Sequence, residues 1–166
     1  EACNPAERQQ AISRTLELSL DLLDAATRQR CVQLRVFPED TEVPLEVVQC
    51  VWQTDDLDTE DHLLAIDNVA LVRFDVQAGQ ARVHDVVRAY LGSRCADLPA
   101  LHAQLADALA RSEAPTVRTY RWRWLTHHLH EAGRIAELRA LLGRFEWMRG
   151  KLLANDLAEL ISEYAR

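Results

Sequence analysis

The sequence has no glycine-rich phosphate loop: its five glycines are isolated, and neither GxxxxGK[ST] nor GxGxxG occurs. GxSxG, HExxH and EF-hand loops are missing as well. A self-contained nucleotide hydrolase, dinucleotide oxidoreductase, serine hydrolase or zinc protease of a familiar type is therefore excluded, and no catalytic residue is expected. The four cysteines, Cys3, Cys31, Cys50 and Cys95, form no CxxC pair. That spacing rules out a zinc ribbon or thioredoxin-type site and fits small apolar thiols in a reducing, cytoplasmic compartment. No apolar run approaches the roughly 20 residues that cross a bilayer, and Glu1-Ala-Cys-Asn-Pro lacks the basic start and apolar centre of a signal peptide. With no membrane partner expected, a net charge of −7 also argues against non-specific nucleic-acid binding. The chain does not begin with Met, so a piece of something longer is expected.

What is present is apolar material in helical spacing. At 48% hydrophobic and 27% charged residues, 166 residues form one moderate domain or two small ones. Ile12, Leu16, Leu20 and Leu23 recur every third or fourth position. Asp24 is placed to cap a second helix through Cys31 and Leu34 that stops before Phe37-Pro38. Residues 41–44 read as a short extended piece, with Pro44 suited to the first turn of a helix carrying Val47, Val48, Val51 and Trp52. An acidic loop over residues 53–58 and a helix over residues 59–68 follow. Ala70-Leu-Val-Arg-Phe-Asp-Val76 and Ala81-Arg-Val83 are β-prone around a turn containing Gly79. Val86, Val87, Tyr90 and Leu91 then share one helical side.

The fold class expected is mainly α: a winged-helix domain over residues 1–94, with helices and one small β-hairpin wing, followed by a helical-hairpin domain over residues 95–166. In the second part the apolar stripes are Leu101/Leu105/Ala108/Leu109, Trp122/Leu125/Leu129, Leu138/Leu141/Leu142, Phe145/Met148/Leu152 and Leu157/Leu160/Ile161/Tyr164. Breaks fall at Pro99, residues 112–115, Gly133 and residues 155–156. No repeat period is evident.

Three clusters carry polar chemistry. His127 and His130 are three residues apart, a conceivable half of a metal site, but no further ligand is indicated and no metal is expected. Trp122, Trp124 and Trp147 read as packing anchors. Asp55, Asp56, Asp58, Glu60 and Asp61 lack the glycine and spacing of a calcium loop and read as a solvated acidic segment. A winged helix raises the alternative of a DNA-binding regulator with a helical effector or dimerisation domain. The helix over residues 59–68 would be its recognition helix, and it offers no Lys or Arg and is acidic. No nucleic-acid partner is expected. His84 stands between the second β-prone run and the next helix. Taken alone, it is open to reading as a base, a ligand, a sensor of something bound, or a residue at a helix cap.

Several segments resemble one family in order. Leu18-Ser-Leu-Asp-Leu-Leu23, Arg30-Cys-Val-Gln-Leu-Arg-Val-Phe-Pro-Glu-Asp40, Val43-Pro-Leu-Glu-Val-Val48, Leu71-Val-Arg73 and Val83-His-Asp-Val-Val-Arg88 resemble the winged helix of NB-ARC/STAND signalling ATPases. That group takes in apoptotic protease-activating factor-like proteins, plant disease-resistance proteins and bacterial STAND regulators. His128-Leu-His-Glu-Ala-Gly-Arg134, Glu137-Leu-Arg-Ala-Leu-Leu142 and Phe145-Glu-Trp-Met-Arg-Gly-Lys-Leu152 resemble the helical domain that follows it.

The resemblance implies a non-catalytic regulatory piece of a larger signal-transduction ATPase. A P-loop nucleotide-binding domain would precede it in cis and a repeat sensor of WD or TPR type would follow. The parent would bind ADP or ATP with magnesium and form a homo-oligomer on activation; this piece holds no cofactor of its own. The family's Met-His-Asp-type motif carries a histidine that contacts the β-phosphate of ADP in the closed state. Val83-His84-Asp85 matches it with Val in place of Met, which makes His84 the implied nucleotide sensor and Asp85 the residue that fixes the joint. Elementary chemistry is compatible: an imidazole donates to a phosphate oxygen, most strongly when protonated, and a helix start favours anions.

Overall fold

A computed structural model describes residues 4–154 and 161. The chain divides into two compact units, Glu1–Ala96 and Asp97–Arg166. The fold is mainly α with one small sheet, as the apolar spacing predicts.

In the first unit α1 (Pro5–Asp21) leads to α2 (Ala25–Gln33), whose start is fixed by Asp24: its carboxylate accepts from the Ala26 and Thr27 amides at 2.9 and 3.0 Å. One 3-10 turn, Leu34–Val36, ends it. Next come β1 (Val43–Pro44), α3 (Leu45–Trp52) and α4 (Asp56–Asn68), then β2 (Arg73–Asp75) and β3 (Gln80–Arg82), and finally α5 (Asp85–Gly92). The sheet is antiparallel in the order β1-β3-β2. Two helices in a turn, followed by a hairpin pinned by a third short strand, make the winged-helix arrangement. Gly79 at φ 61 closes the hairpin in the backbone region that a side chain disfavours. Leu34, Val36, Phe37, Val47, Leu63, Ile66, Leu71 and Leu91 are the buried core of this unit.

Four features differ from what local sequence signals predict. The wing is part of a three-stranded sheet, because Val43 and Pro44 pair with Ala81 and Gln80. Pro44 sits one residue before α3, as its N-cap with extended backbone, rather than inside the first turn. The acidic segment is not a loop through residue 58: Asp55 accepts from the Asp58 amide at 2.9 Å and starts α4 three residues earlier, where acidic side chains suit the positive helix end. On α5 only Val87 and Leu91 are buried, whereas Val86 is exposed.

The second unit contains α6 (Leu98–Arg111), α7 (Pro115–Glu131), α8 (Ile135–Leu142) and α9 (Phe145–Ala154). Pro99 does not break a helix; it lies in the first turn of α6, where its missing N–H is harmless. The α7–α8 turn closes as a Schellman motif. The Arg134 amide donates to Leu129 O and the Gly133 amide to His130 O, both at 2.9 Å, with Gly133 at φ 70. Arg134 then spans α6 and α8: it donates to Asp107 at 2.6 Å, to both Glu137 oxygens at 2.6 Å and to Ala103 O at 3.3 Å. The Gly-Arg pair of the segment ending at Arg134 thus has a structural reason.

The stripe expected on α9 is displaced. Trp147 and Lys151 are buried while Phe145 and Leu152 are exposed, because α9 packs on α7 through Trp147 against Trp122, with ring centres 4.6 Å apart. No residue of α8 is fully buried. On α6 the buried side includes His102 and Ala106 as well as the leucines. Of the last stripe, only Ile161 lies within the described residues, and it is exposed.

Candidate functional site at the strand-to-helix joint

The segment from Val83 to Arg88 assigns a different task to nearly every side chain. Val83 and Val87 enter the core. Arg88 is nearly buried and donates from Nε to Phe37 O at 2.6 Å and from Nη1 to Glu39 at 3.0 Å, which anchors α5 to the loop after the 3-10 turn. His84 is the N-cap of α5 with extended backbone (φ −69, ψ 145), and its carbonyl accepts from the Arg88 amide at 2.8 Å. Its ring caps nothing. The side chain is 76% exposed, so packing against the wing does not account for it.

Asp85 holds that ring. Its Oδ1 lies 2.5 Å from His84 Nδ1 and accepts from the Val86 amide at 2.7 Å. The hydrogen bond from His84, then that from Val86, hold the Asp85 carboxyl below the usual carboxylate range. An ionised carboxylate is acceptor-only, so His84 Nδ1 carries a proton and Nε2 is the atom left to meet anything else. When the ring takes a second proton, Nε2–H becomes a charge-assisted donor while Nδ1–H stays paired with Asp85.

Beside this joint lies a cleft of about 440 Å³ lined by Asp67, Ala70, Leu71, Arg73, Arg82 and His84, among others. Asp67 is not available as a counter-charge there without loss, since its Oδ1 accepts from the Phe74 amide at 3.2 Å and ties α4 to β2. Arg73 and Arg82 are directly opposite each other on β2 and β3, an unfavourable cross-strand pairing of like charges. Asp40 relieves one of them, accepting from Arg82 at 2.8 Å. The cleft therefore presents the Arg73 guanidinium, the Arg82 guanidinium shared with Asp40, one imidazole and the Asp67 carboxylate, and its three donors suit an anion with several oxygens. The sequence signal for these arginines is one basic residue in the middle of each β-prone run.

The other polar clusters resolve differently. His130 is exposed, with Nδ1 3.4 Å from Glu131, so the three-apart pair His127/His130 does not converge on one point. His127 instead meets His128 and, from α6, His102, which sequence reading passed over. Burial, with the neighbouring His102 and His127, pushes His128 well below the ordinary histidine value; burial pushes Tyr120 well up. Trp122 and Trp147 stack as anchors. Cys31 is buried, which pushes its thiol up to about 12 and makes it an inert apolar residue. Along α4 the acidic residues stay on the surface, and among the described residues of that helix there is no Lys or Arg. No described helix is long and apolar enough to cross a membrane.

Known proteins resemble both units of the chain. The model of the APAF-1 helical domain matches residues 98–166. Across both units the chain is 24% identical to apoptotic protease-activating factor 1 of Danio rerio and of Homo sapiens over 165 residues, and of Rattus norvegicus over 166 residues. Each alignment takes in 93% of this chain, which spans only 13% of the length of those relatives. Residues 98–166 thus match an APAF-1 helical domain, and the chain as a whole is similar to apoptotic protease-activating factor 1 across both units.

Proposed function

We propose that this chain is the non-catalytic regulatory part of an NB-ARC/STAND signal-transduction ATPase of the cytoplasm. It couples the ADP or ATP state of an adjoining nucleotide-binding domain to a C-terminal repeat sensor and to oligomerisation. The observation that carries the reading is the exposed His84 ring, oriented by Asp85 and bordering a cleft that also holds Arg73 and Arg82. Residues 1–94 act as the winged-helix module and residues 95–166 as the helical one.

The donor set fits the diphosphate of ADP, which supplies several anionic oxygens at once. His84 contacts it through Nε2–H, with Asp85 keeping the ring aligned. Arg73 has a like-charged neighbour across the hairpin, and an anion removes that penalty. A contact made in only one arrangement of two rigid bodies shifts their balance by its differential binding free energy. ADP, held by the neighbouring domain and by His84, favours the closed arrangement. Loss of that contact favours exchange and assembly.

DNA binding has little to recommend it, because α4 in the recognition position is acidic and lacks Lys and Arg. The purified chain alone is expected neither to hydrolyse ATP nor to shift duplex DNA at low salt. Turnover by the pure chain, or a salt-sensitive DNA complex, contradicts the regulatory reading.

A further inference from the structure

Inside the second unit three imidazoles meet. His102 on α6 and His127 and His128 on α7 bring one ring nitrogen each within 4.8 Å of one another. His102 and His128 are buried, and their Nδ1 atoms are 2.9 Å apart. The ring centres form a nearly equilateral triangle, with sides of 5.1, 5.3 and 5.6 Å. We propose that these three histidines form a metal site for a divalent ion of the zinc class, clamping α6 to α7.

The triangle has the right size. Metal–nitrogen bonds of about 2.0–2.1 Å put an ion roughly 3.2 Å from each ring centre, so tetrahedral angles separate the centres by about 5.2 Å. The same bonds need nitrogens about 3.3 Å apart, so the His102 and His128 rings part by roughly 0.4 Å, while a pair as wide as the 4.8 Å limit closes by about 1.5 Å through side-chain rotation of His127. Neutral imidazole suits zinc, cobalt, nickel and copper ions, whereas calcium and magnesium demand oxygen donors.

Two surrounding groups complete the arrangement. Tyr120 Oη lies 3.1 Å from His128 Nε2. With Nδ1 on the metal, Nε2 carries the hydrogen and donates to Tyr120, the outer contact that fixes the tautomer of a ligating histidine. Glu131 follows His127 by one helical turn. Burial raises its carboxyl, but a hydrogen bond with His130 and the charges of His127, His102 and His130 outweigh that and hold it low. Its Oε1 lies 3.4 Å from His130 Nδ1, and its negative charge near the cluster offsets part of the ion's charge. Three ligands leave a fourth position, which a structural ion fills with a further oxygen or nitrogen donor.

Without an ion, one proton shared between His102 and His128 and one from Tyr120 satisfy the same contacts, and metal titration distinguishes the two states. The untagged chain is stripped with chelator, dialysed, and titrated with cobalt(II) and zinc(II) at micromolar concentration. The site predicts one bound ion per chain, visible d–d bands of four-coordinate cobalt that zinc bleaches, and a higher unfolding temperature of the loaded protein. His127→Gln, at the least buried of the three positions, and His102→Gln abolish the bands, while His130→Gln retains them. A wild-type chain that takes up no stoichiometric ion, or uptake that survives in both His127→Gln and His102→Gln, overturns the proposal. The wild-type titration needs no variant to fold and decides by itself. It is also independent of the nucleotide reading, which concerns the other unit.

Discussion

Replacing Gly150 with alanine ought to test the packing of α9 on α7 through the sign of its effect. In an ordinary helix interior, Gly→Ala stabilises by about 1 kcal/mol. At Gly150 a Cβ would stand 2.3 Å from the Cη2 of Trp122, and 2.7 and 2.8 Å from two further atoms of that indole. Carbon atoms settle at roughly 3.5–4.0 Å, so helix or ring must retreat by more than about 1 Å. The ring cannot turn away cheaply, because Trp147 stacks on it at 4.6 Å. An overlap as deep as 2.3 Å belongs in the upper half of the roughly 1–3 kcal/mol that overpacking costs, about 2–3 kcal/mol, which exceeds the propensity gain. The expected result for Gly150→Ala is a net loss of about 1–2 kcal/mol, measured by urea unfolding with far-UV circular dichroism, together with a change in the near-UV signal of the stacked indoles. In a Trp122→Leu background the obstruction is gone, and Gly150→Ala becomes stabilising by up to about 1 kcal/mol. A stabilising effect in the wild-type background, or an equal loss in both, refutes the packing argument.

Two further outcomes concern the first unit. His62 Nε2 faces Arg30 at 2.6 Å, and arginine only donates, so Nδ1 carries the proton toward Thr27 at 2.8 Å; the Thr27 hydroxyl in turn donates to Asp24 at 2.6 Å. Desolvation, then the Arg30 charge, lower the His62 value from 6.5 despite opposing carboxylates. The unfolded chain therefore takes this proton more readily, and the stability it contributes is full above about pH 6.5 and lost as the pH falls below it. NMR titration should place His62 below 6.5, and His62→Gln should remove that part of the acid sensitivity; titration above 6.5 contradicts the relay. Ala70 closes α4 at φ 58, with its amide on Asp67 O and that of Leu71 on Ile66 O, at 2.8 and 3.2 Å. Ala70→Gly relieves a left-handed alanine and should stabilise by roughly 0.5–1 kcal/mol in denaturant unfolding; a loss of stability counts against the cap.

Local signals carried much of the fold, and long-range ones carried little. Asp24, Gly79 and Gly133 act within a few residues of themselves, so capping and turn chemistry read directly from sequence. The pairing of β1 with β3 joins two-residue and three-residue strands nearly forty positions apart, and nothing local announces it. On α9 the apolar spacing of Phe145, Met148 and Leu152 predicts one face, yet the buried side is Trp147 and Lys151, because Trp122 decides which face packs. Of the candidate site, the position of His84 at a strand-to-helix joint was legible, since strand and helix patterns meet there. The opposition of Arg73 and Arg82 required the hairpin register. His102 was invisible for a similar reason: it borders the Leu101/Leu105/Leu109 stripe, and its meaning depends on what α7 brings against it.

The nucleotide-sensor claim meets its most direct test in the intact protein that contains this segment. Protein is purified without added nucleotide, and the ADP carried per protomer is measured by chromatography after denaturation, for wild type and for His84→Ala. Retention of ADP by the wild type, with a marked loss and faster release in His84→Ala while the fold by circular dichroism is unchanged, is the expected result. Equal ADP content and equal release rates in the two proteins contradict a phosphate contact by His84.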